Sequence, residues 1–343
     1  RKAFFMDIKG LISHLQKNLE HKVQTGSYRN LVFKGGGVCG IAYMGALQVL
    51  EDKGILKKIM RTAGTSAGAI AATLASFHLN VSEIIGLFNT LNLRNIPQNH
   101  SSSQRNRLTP LYGHENYRRL LRNYGWYSSE YFYTWLQKII ARFCKGDPQA
   151  TFADFRKLGH RDLYVVVTNL SRHRVEVFSA RTTPDAPVAD AVRMSMSIPL
   201  YFESLCFNGR KFGNGDYYVD GGIYANYPIH LFDGTKFSSS NLFFRQGINW
   251  ETLGLYLYTD KNPNEDKPDL PKNLMEFVRL TGQNFYDSFE ESSLLNRAIE
   301  KRRTIEINDC GISPVDFSID LGSEKYQMLI NSGREAALNF FKV

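Results

Sequence analysis

The residues of this 343-residue chain best placed to do chemistry lie in Gly64-Thr65-Ser66-Ala67-Gly68. A serine between two glycines stands there at the point where a short apolar run gives way to an uncharged helical one. That is the pattern of a nucleophile elbow, in which a strand turns sharply into a helix and holds the hydroxyl exposed on a strained backbone. The flanking glycines are needed because a Cβ would collide with the turn. At the first turn of a helix the hydroxyl also feels the positive end of the helix dipole, which favours developing negative charge. The pentapeptide alone does not separate a nucleophile from an ordinary small-residue turn. A catalytic serine needs, in addition, an oxyanion site and a base.

The first of these is offered by Gly35-Gly36-Gly37-Val38-Cys39-Gly40, which follows a short strand, Asn30-Leu31-Val32-Phe33-Lys34. Ile41, Met44, Leu47 and Leu50 then share one helical face, and Gly54 stands where a left-handed residue would end that helix. Residues 55–63 supply the next strand. Strand, glycine loop, helix, strand and elbow make a βαβ unit, whose strands are parallel and end on the same edge of the sheet. The glycine loop and Ser66 therefore arrive side by side at the carboxyl edge, where open α/β folds bind ligands. Glycine N–H groups unobstructed by side chains can converge on an oxyanion. Gly35, Gly37 and Gly40 also fit a dinucleotide-binding G-x-G-x-x-G, but the second strand closes on Arg61-Thr62-Ala63, with no acidic residue for a ribose.

Two bases are open. Asp220-Gly221-Gly222 follows the strand Tyr217-Tyr218-Val219, and its glycines allow a neighbouring loop to approach, so Asp220 could take the Ser66 proton directly. Of eight histidines, only His173 and His230 lie late enough in the chain to serve a triad in the order Ser, Asp, His. A lone histidine is more often a packing or surface residue, and Asp220-Gly221-Gly222 taken alone reads as a turn. A neutral lipase or soluble esterase with a triad through His230 is the alternative to a dyad.

The three segments together, in this order, resemble the patatin-like phospholipase family. Ser197-Ile198-Pro199 leading to Phe202, Asn226-Tyr227-Pro228, and Ser313-Pro314-Val315-Asp316-Phe317 with the final helix are similar as well, so the likeness spans about residues 29–342. The resemblance implies a three-layer α/β/α sandwich with a mainly parallel central sheet. It implies a dyad of Ser66 and Asp220, an oxyanion hole at Gly36 and Gly37, release of fatty acids from phospholipids or lysophospholipids, and no metal or cofactor. The remaining motif positions are Gly35, Val38, Cys39, Gly40, Gly64, Thr65, Ala67, Gly68, Gly221 and Gly222. Some relatives act only with a protein or nucleotide activator. One position departs: the family usually carries Arg or Lys before the last glycine of the first motif, and here it is Cys39, with Lys34 on the other side of the glycines. That departure leaves a regulated or inactive lipid-binding module as a further reading.

The rest of the chain must position these groups. A helix is expected at 7–24 as an N-terminal extension (residues 1–28), then a catalytic domain over 29–342 with a segment at about 92–150 that suits a lid or an insert. A buried uncharged helix is expected at 67–79, and a basic aromatic helical stretch at 117–143, suited either to core packing or to a lipid interface. A hairpin pairs 163–168 with 175–178. A helix spans 188–196, a strand 253–258, helices about 272–303 and 323–341, and a strand 304–307. Lys and Arg outnumber Asp and Glu by 42 to 33, a net charge of +9 that draws the surface to phosphates or acidic lipids. No Lys/Arg block or nucleic-acid motif appears, which argues against nucleic-acid binding. Four separated cysteines have no metal spacing and fit a reduced, cytoplasmic protein. No apolar run reaches 18 residues, so the expected location is peripheral, at a membrane surface.

Overall fold

The computed structural model describes residues 27–98, 112–260, 277 and 298–342. The helix expected at 7–24 and most of that expected at 272–303 lie outside them. The strands are β1 Asn30–Phe33, β2 Arg61–Thr65, β3 Gly125–Tyr127, β4 Asp162–Asn169, β5 Arg174–Ser179 and β6 Leu200–Phe202. They continue with β7 Leu205–Phe207, β8 Asp216–Asp220, β9 Phe244–Arg245, β10 Ile248–Asn249, β11 Thr252–Tyr258 and β12 Thr304–Asn308. A parallel run in the order β12-β11-β1-β2-β4 forms the centre of one sheet, to which β5, β8 and β7 add antiparallel.

Alternation along the strands divides the core. Leu31, Phe33, Leu163, Val165 and Val167 face the larger cluster, which helices cover, whereas Val32, Ala63 and Tyr164 line up across β1, β2 and β4 on the opposite face. There the described cover includes Ile229, Phe232 and Phe237, from two short 3-10 turns. On the helical face, Ala42–Asp52 and Glu324–Phe340 pack at glycines. A Cβ on Gly45 would lie 1.9 Å from the Ile330 carbonyl oxygen, and one on Gly333 would lie 1.8 Å from that of Ala42. This is the mainly parallel α/β architecture expected.

Local boundaries differ for tertiary reasons. The chain reaches β2 through a 3-10 turn, Leu56–Lys58, and the strand begins only where Arg61 finds Asn30 as its partner. The uncharged helix is Ala67–Ser76, and the left-handed His78 (φ 57°) prevents its continuation to residue 79. The stretch 117–143 is not one helix. Tyr112–Asn123 ends at the left-handed Tyr124 (φ 59°), β3 follows, and a second helix runs Glu130–Phe143. Gly125 lets the strand after the break approach β6 closely, since it pairs with Leu200 and a Cβ there would sit 2.1 Å from the Phe202 carbonyl oxygen. In the second helix Phe132, Leu136 and Ile140 are fully buried, so its aromatics serve the core.

Candidate active site

Strand β4 has two edges, and their use decides the geometry. Along Tyr164 to Asn169 one edge belongs to β5. The other is shared end to end: β2 occupies it as far as the pair Thr65 and Val166, and β8 takes over at the pair Asp220 and Val167. Because β8 runs against β4, its carboxyl end abuts the carboxyl end of β2. Successive places along a strand are about 3.3 Å apart, so Asp220 occupies the place that Ser66 vacates when the chain turns into its helix. Gly221 closes the junction, since a Cβ on it would lie 2.3 Å from the Val166 carbonyl oxygen and 3.0 Å from Thr65 Cγ2. Both side chains are buried, Asp220 at 0% exposure and Ser66 at 6%. The Asp220 carboxylate accepts the Gly222 N–H at 2.8 Å, and its own N–H donates to the Ser197 carbonyl at 2.9 Å.

Ser66 holds φ 55° and ψ −125°, outside the favoured regions for an L-residue. Such strain persists only where the surroundings over-determine it. Here the Ser66 N–H donates to Ser195 Oγ at 2.9 Å, and Ser195 Oγ in turn donates to the Val166 carbonyl at 2.6 Å. Nothing in the sequence singled out Ser195, whose part is set by its position on the helix Val188–Ser195. Gly64 and Gly68 are needed for contact: Cβ atoms would come within 2.1 Å of the Gly68 carbonyl oxygen and 2.4 Å of that of Phe33.

The glycine loop stands against the same turn. Gly35 donates to the Asn226 carbonyl at 3.0 Å, and a Cβ on it would lie 3.2 Å from that of Ser66. Gly40 is equally close to the Ala67 methyl, at 3.2 Å. Gly37 is left-handed (φ +54°) against Pro314, whose carbonyl accepts the Val38 N–H at 2.9 Å. Cys39 is buried, donates through Sγ to the Ile312 carbonyl at 3.1 Å, and is held as a neutral thiol because burial pushes its pKa far up. The Lys34 ammonium is directed at β11, donating to the Leu257 carbonyl at 2.5 Å and lying 4.3 Å from the Tyr256 ring centre.

From Ser66 an apolar cleft leads away, walled by Met44, Ile70, Leu93, Ile96, Phe202 and Phe317, and among the described residues no charged side chain lines it. Such walls suit a hydrocarbon chain.

His230 is at the other end of the sheet. Tyr227 and Ile229 lie against Gly254 of β11, and His230 Nδ1 lies 2.7 Å from Asp233 and Nε2 2.9 Å from Glu300, beside Arg303 at the amino end of β12. Arg303 holds Asp233 through two hydrogen bonds, of 2.6 and 2.7 Å. Burial would raise the Asp233 pKa, but hydrogen bonds from His230 and Arg303 outweigh it and lower the value from 3.8 to about 2. A carboxylate depressed by folding adds stability above its unfolded pKa and loses it as the pH falls through the folded one. The unfolding free energy is therefore expected to drop by about 2 kcal/mol from this group between about pH 4 and pH 2. Urea denaturation of Asp233→Asn beside the parent protein checks this, because the variant should lack that part of the acid slope.

An α/β sheet carrying a serine on a strained strand-to-helix turn, beside a glycine loop and a buried carboxylate, has the layout of an acyl-transfer site. Residues 31–233 match the sequence model of a family described as patatin-like phospholipase, and the chain belongs to that family, whose chemistry is lipid hydrolysis. It is 26% identical over 317 residues to an uncharacterized protein of Acanthamoeba polyphaga mimivirus, covering 91% of this chain and 94% of that protein. It is 35% identical over 211 residues to the uncharacterized protein YqhO of Bacillus subtilis (strain 168), covering 60% and 67% of the two chains. Probable lipid hydrolase 463L of Invertebrate iridescent virus 6 is 29% identical over 208 residues, covering 60% and 63%. Among solved structures, VipD from Legionella pneumophila shares the fold, with a TM-score of 0.56 at 19% identity over 92% of this chain and 67% of that one. No described helix is long and apolar enough to cross a membrane.

Proposed function

We propose that residues 29–342 act as a serine acyl hydrolase that releases fatty acids from phospholipids or lysophospholipids at a membrane surface. The reading is supported above all by the end-to-end meeting of β2 and β8, which leaves Ser66 and Asp220 as neighbours.

In this mechanism the acyl chain lies in the apolar cleft with its ester carbonyl at Ser66. Ser66 Oγ attacks the carbonyl carbon while Asp220 takes the hydroxyl proton, and the N–H groups of Gly36 and Gly37 stabilise the oxyanion. Collapse of the tetrahedral intermediate expels the alcohol, to which Asp220 returns the proton. Asp220 then takes a proton from water, whose oxygen attacks the acyl-serine. The second intermediate breaks to free the fatty acid, and the proton returns to Ser66. No step uses a metal or cofactor.

Mass analysis of the lipids produced from a mixed phospholipid extract tests the substrate class, with Ser66→Ala as control. Free fatty acids and the matching deacylated phospholipids are expected from the parent protein alone. Equal release by both would contradict the assignment.

A further inference from the structure

We propose that the outward face of the helix Tyr112–Asn123, with the turn that follows it, is the surface that docks the protein on an anionic bilayer. The inference rests on the phospholipid reading above and names the face that presents its cleft to the lipid.

Tyr117 and Leu121 are four residues apart on one helical face, and Tyr124 follows in the turn that ends the helix; they are 54%, 77% and 50% exposed. Arg118 and Arg122 form a second exposed stripe beside it and make no ion pair among the described residues. The inner face fixes the helix in place: Arg119 is buried and donates to the Trp126 carbonyl at 2.9 Å and to Asn116 Oδ1 at 3.2 Å. The apolar surface continues past the helix. The Tyr124 ring meets that of exposed Tyr217 at 5.7 Å, and Gly125 pairs with exposed Leu200. Neighbouring carboxylates are engaged by arginines, Glu115 by Arg119 at 3.9 Å and Glu203 by Arg193 at 3.1 Å.

An exposed apolar stripe marks a contact surface, because covering it removes apolar area from water. Tyrosine and leucine edged by arginine suit the boundary of acyl chains and anionic headgroups. The position favours a bilayer over other occupants. Leu200 is two residues from Phe202, which walls the cleft, and Tyr217 is three from Asp220. This face thus adjoins, through the pairing of Gly125 with Leu200, the strand whose Phe202 walls the cleft.

Co-sedimentation of the full chain with vesicles of phosphatidylcholine, with and without phosphatidylserine, tests the proposal. Two variants are compared, Arg118→Gln/Arg122→Gln and Leu121→Ser, with thermal unfolding as a check on folding and a short-chain soluble ester as a reading of the active site. Binding should require phosphatidylserine and weaken as salt rises. The double variant should bind about 25-fold more weakly, since each arginine contributes about fivefold. Leu121→Ser should weaken binding about tenfold. Soluble-ester hydrolysis and unfolding should not change. Binding by the variants equal to the parent's, no binding by the parent, or a dimer in sedimentation that the variants dissolve would each overturn the docking face. Loss of soluble-ester hydrolysis in the parent would instead overturn the hydrolase reading, with vesicle binding still measurable.

Discussion

Asp220→Asn is expected to slow ester hydrolysis by on the order of 10³- to 10⁴-fold while the protein stays folded. Asparagine has the shape of aspartate, and its side-chain oxygen can still accept the Gly222 N–H that Asp220 accepts at 2.8 Å. The amide has no useful basicity, so the Ser66 proton would have no acceptor in the attack and the water none in deacylation. Removing a charge from a fully buried position costs the fold little and can stabilise it. Rates with a soluble ester, read beside the unfolding midpoint, separate this chemical loss from a folding defect. A variant within tenfold of the parent would show that the base lies elsewhere.

The second large effect is expected at Gly37. Its left-handed backbone (φ +54°) already disfavours alanine, and the added Cβ would lie 1.9 Å from the Pro314 carbonyl oxygen. Backbone cannot yield as a flexible side chain can, so either the glycine loop or the closing segment must shift. Stability is expected to fall by about 1–3 kcal/mol. Activity is expected to fall on the order of 10²- to 10³-fold, because a displaced N–H no longer faces the oxyanion. Gly86→Ala is the control. It is helical, with no neighbouring segment among the described residues within 4 Å of the new methyl, and should stabilise the fold by up to about 1 kcal/mol. If both variants behaved alike, the glycine loop would have no special part in the rate.

The parts of the site legible in the sequence are those where backbone geometry dictates residue type. The glycines at 35, 37, 64 and 68 announce close approach or a left-handed turn, and Gly54 (φ 65°) ends the first helix as its position suggested. Asp220 stood out as a strand end followed by glycines. The direction of β8 was not legible. Tyr217-Tyr218-Val219 reads the same whether its neighbour runs with it or against it, and only the antiparallel pairing with Val167 to Asn169 brings Asp220 head-on to Ser66. Ser195 left no signal, since its hydrogen bonds join segments 129 and 29 residues away. The break at Tyr124 and Gly125 was hidden because both flanking segments form helices and the short strand between them pairs with β6, far along the chain. His230 could not be weighed from spacing. Its place beside Arg303, at the amino end of β12, separates it from a serine at the carboxyl end of β2.

The most direct test of a serine activated by Asp220 is covalent labelling by a fluorophosphonate, with the modified residue found by peptide mass analysis. The parent protein and His230→Ala should both be labelled at Ser66 at similar rates, Asp220→Asn should be labelled far more slowly, and Ser66→Ala should not be labelled. Labelling of Asp220→Asn at the parental rate, or its loss in a folded His230→Ala, would contradict the account.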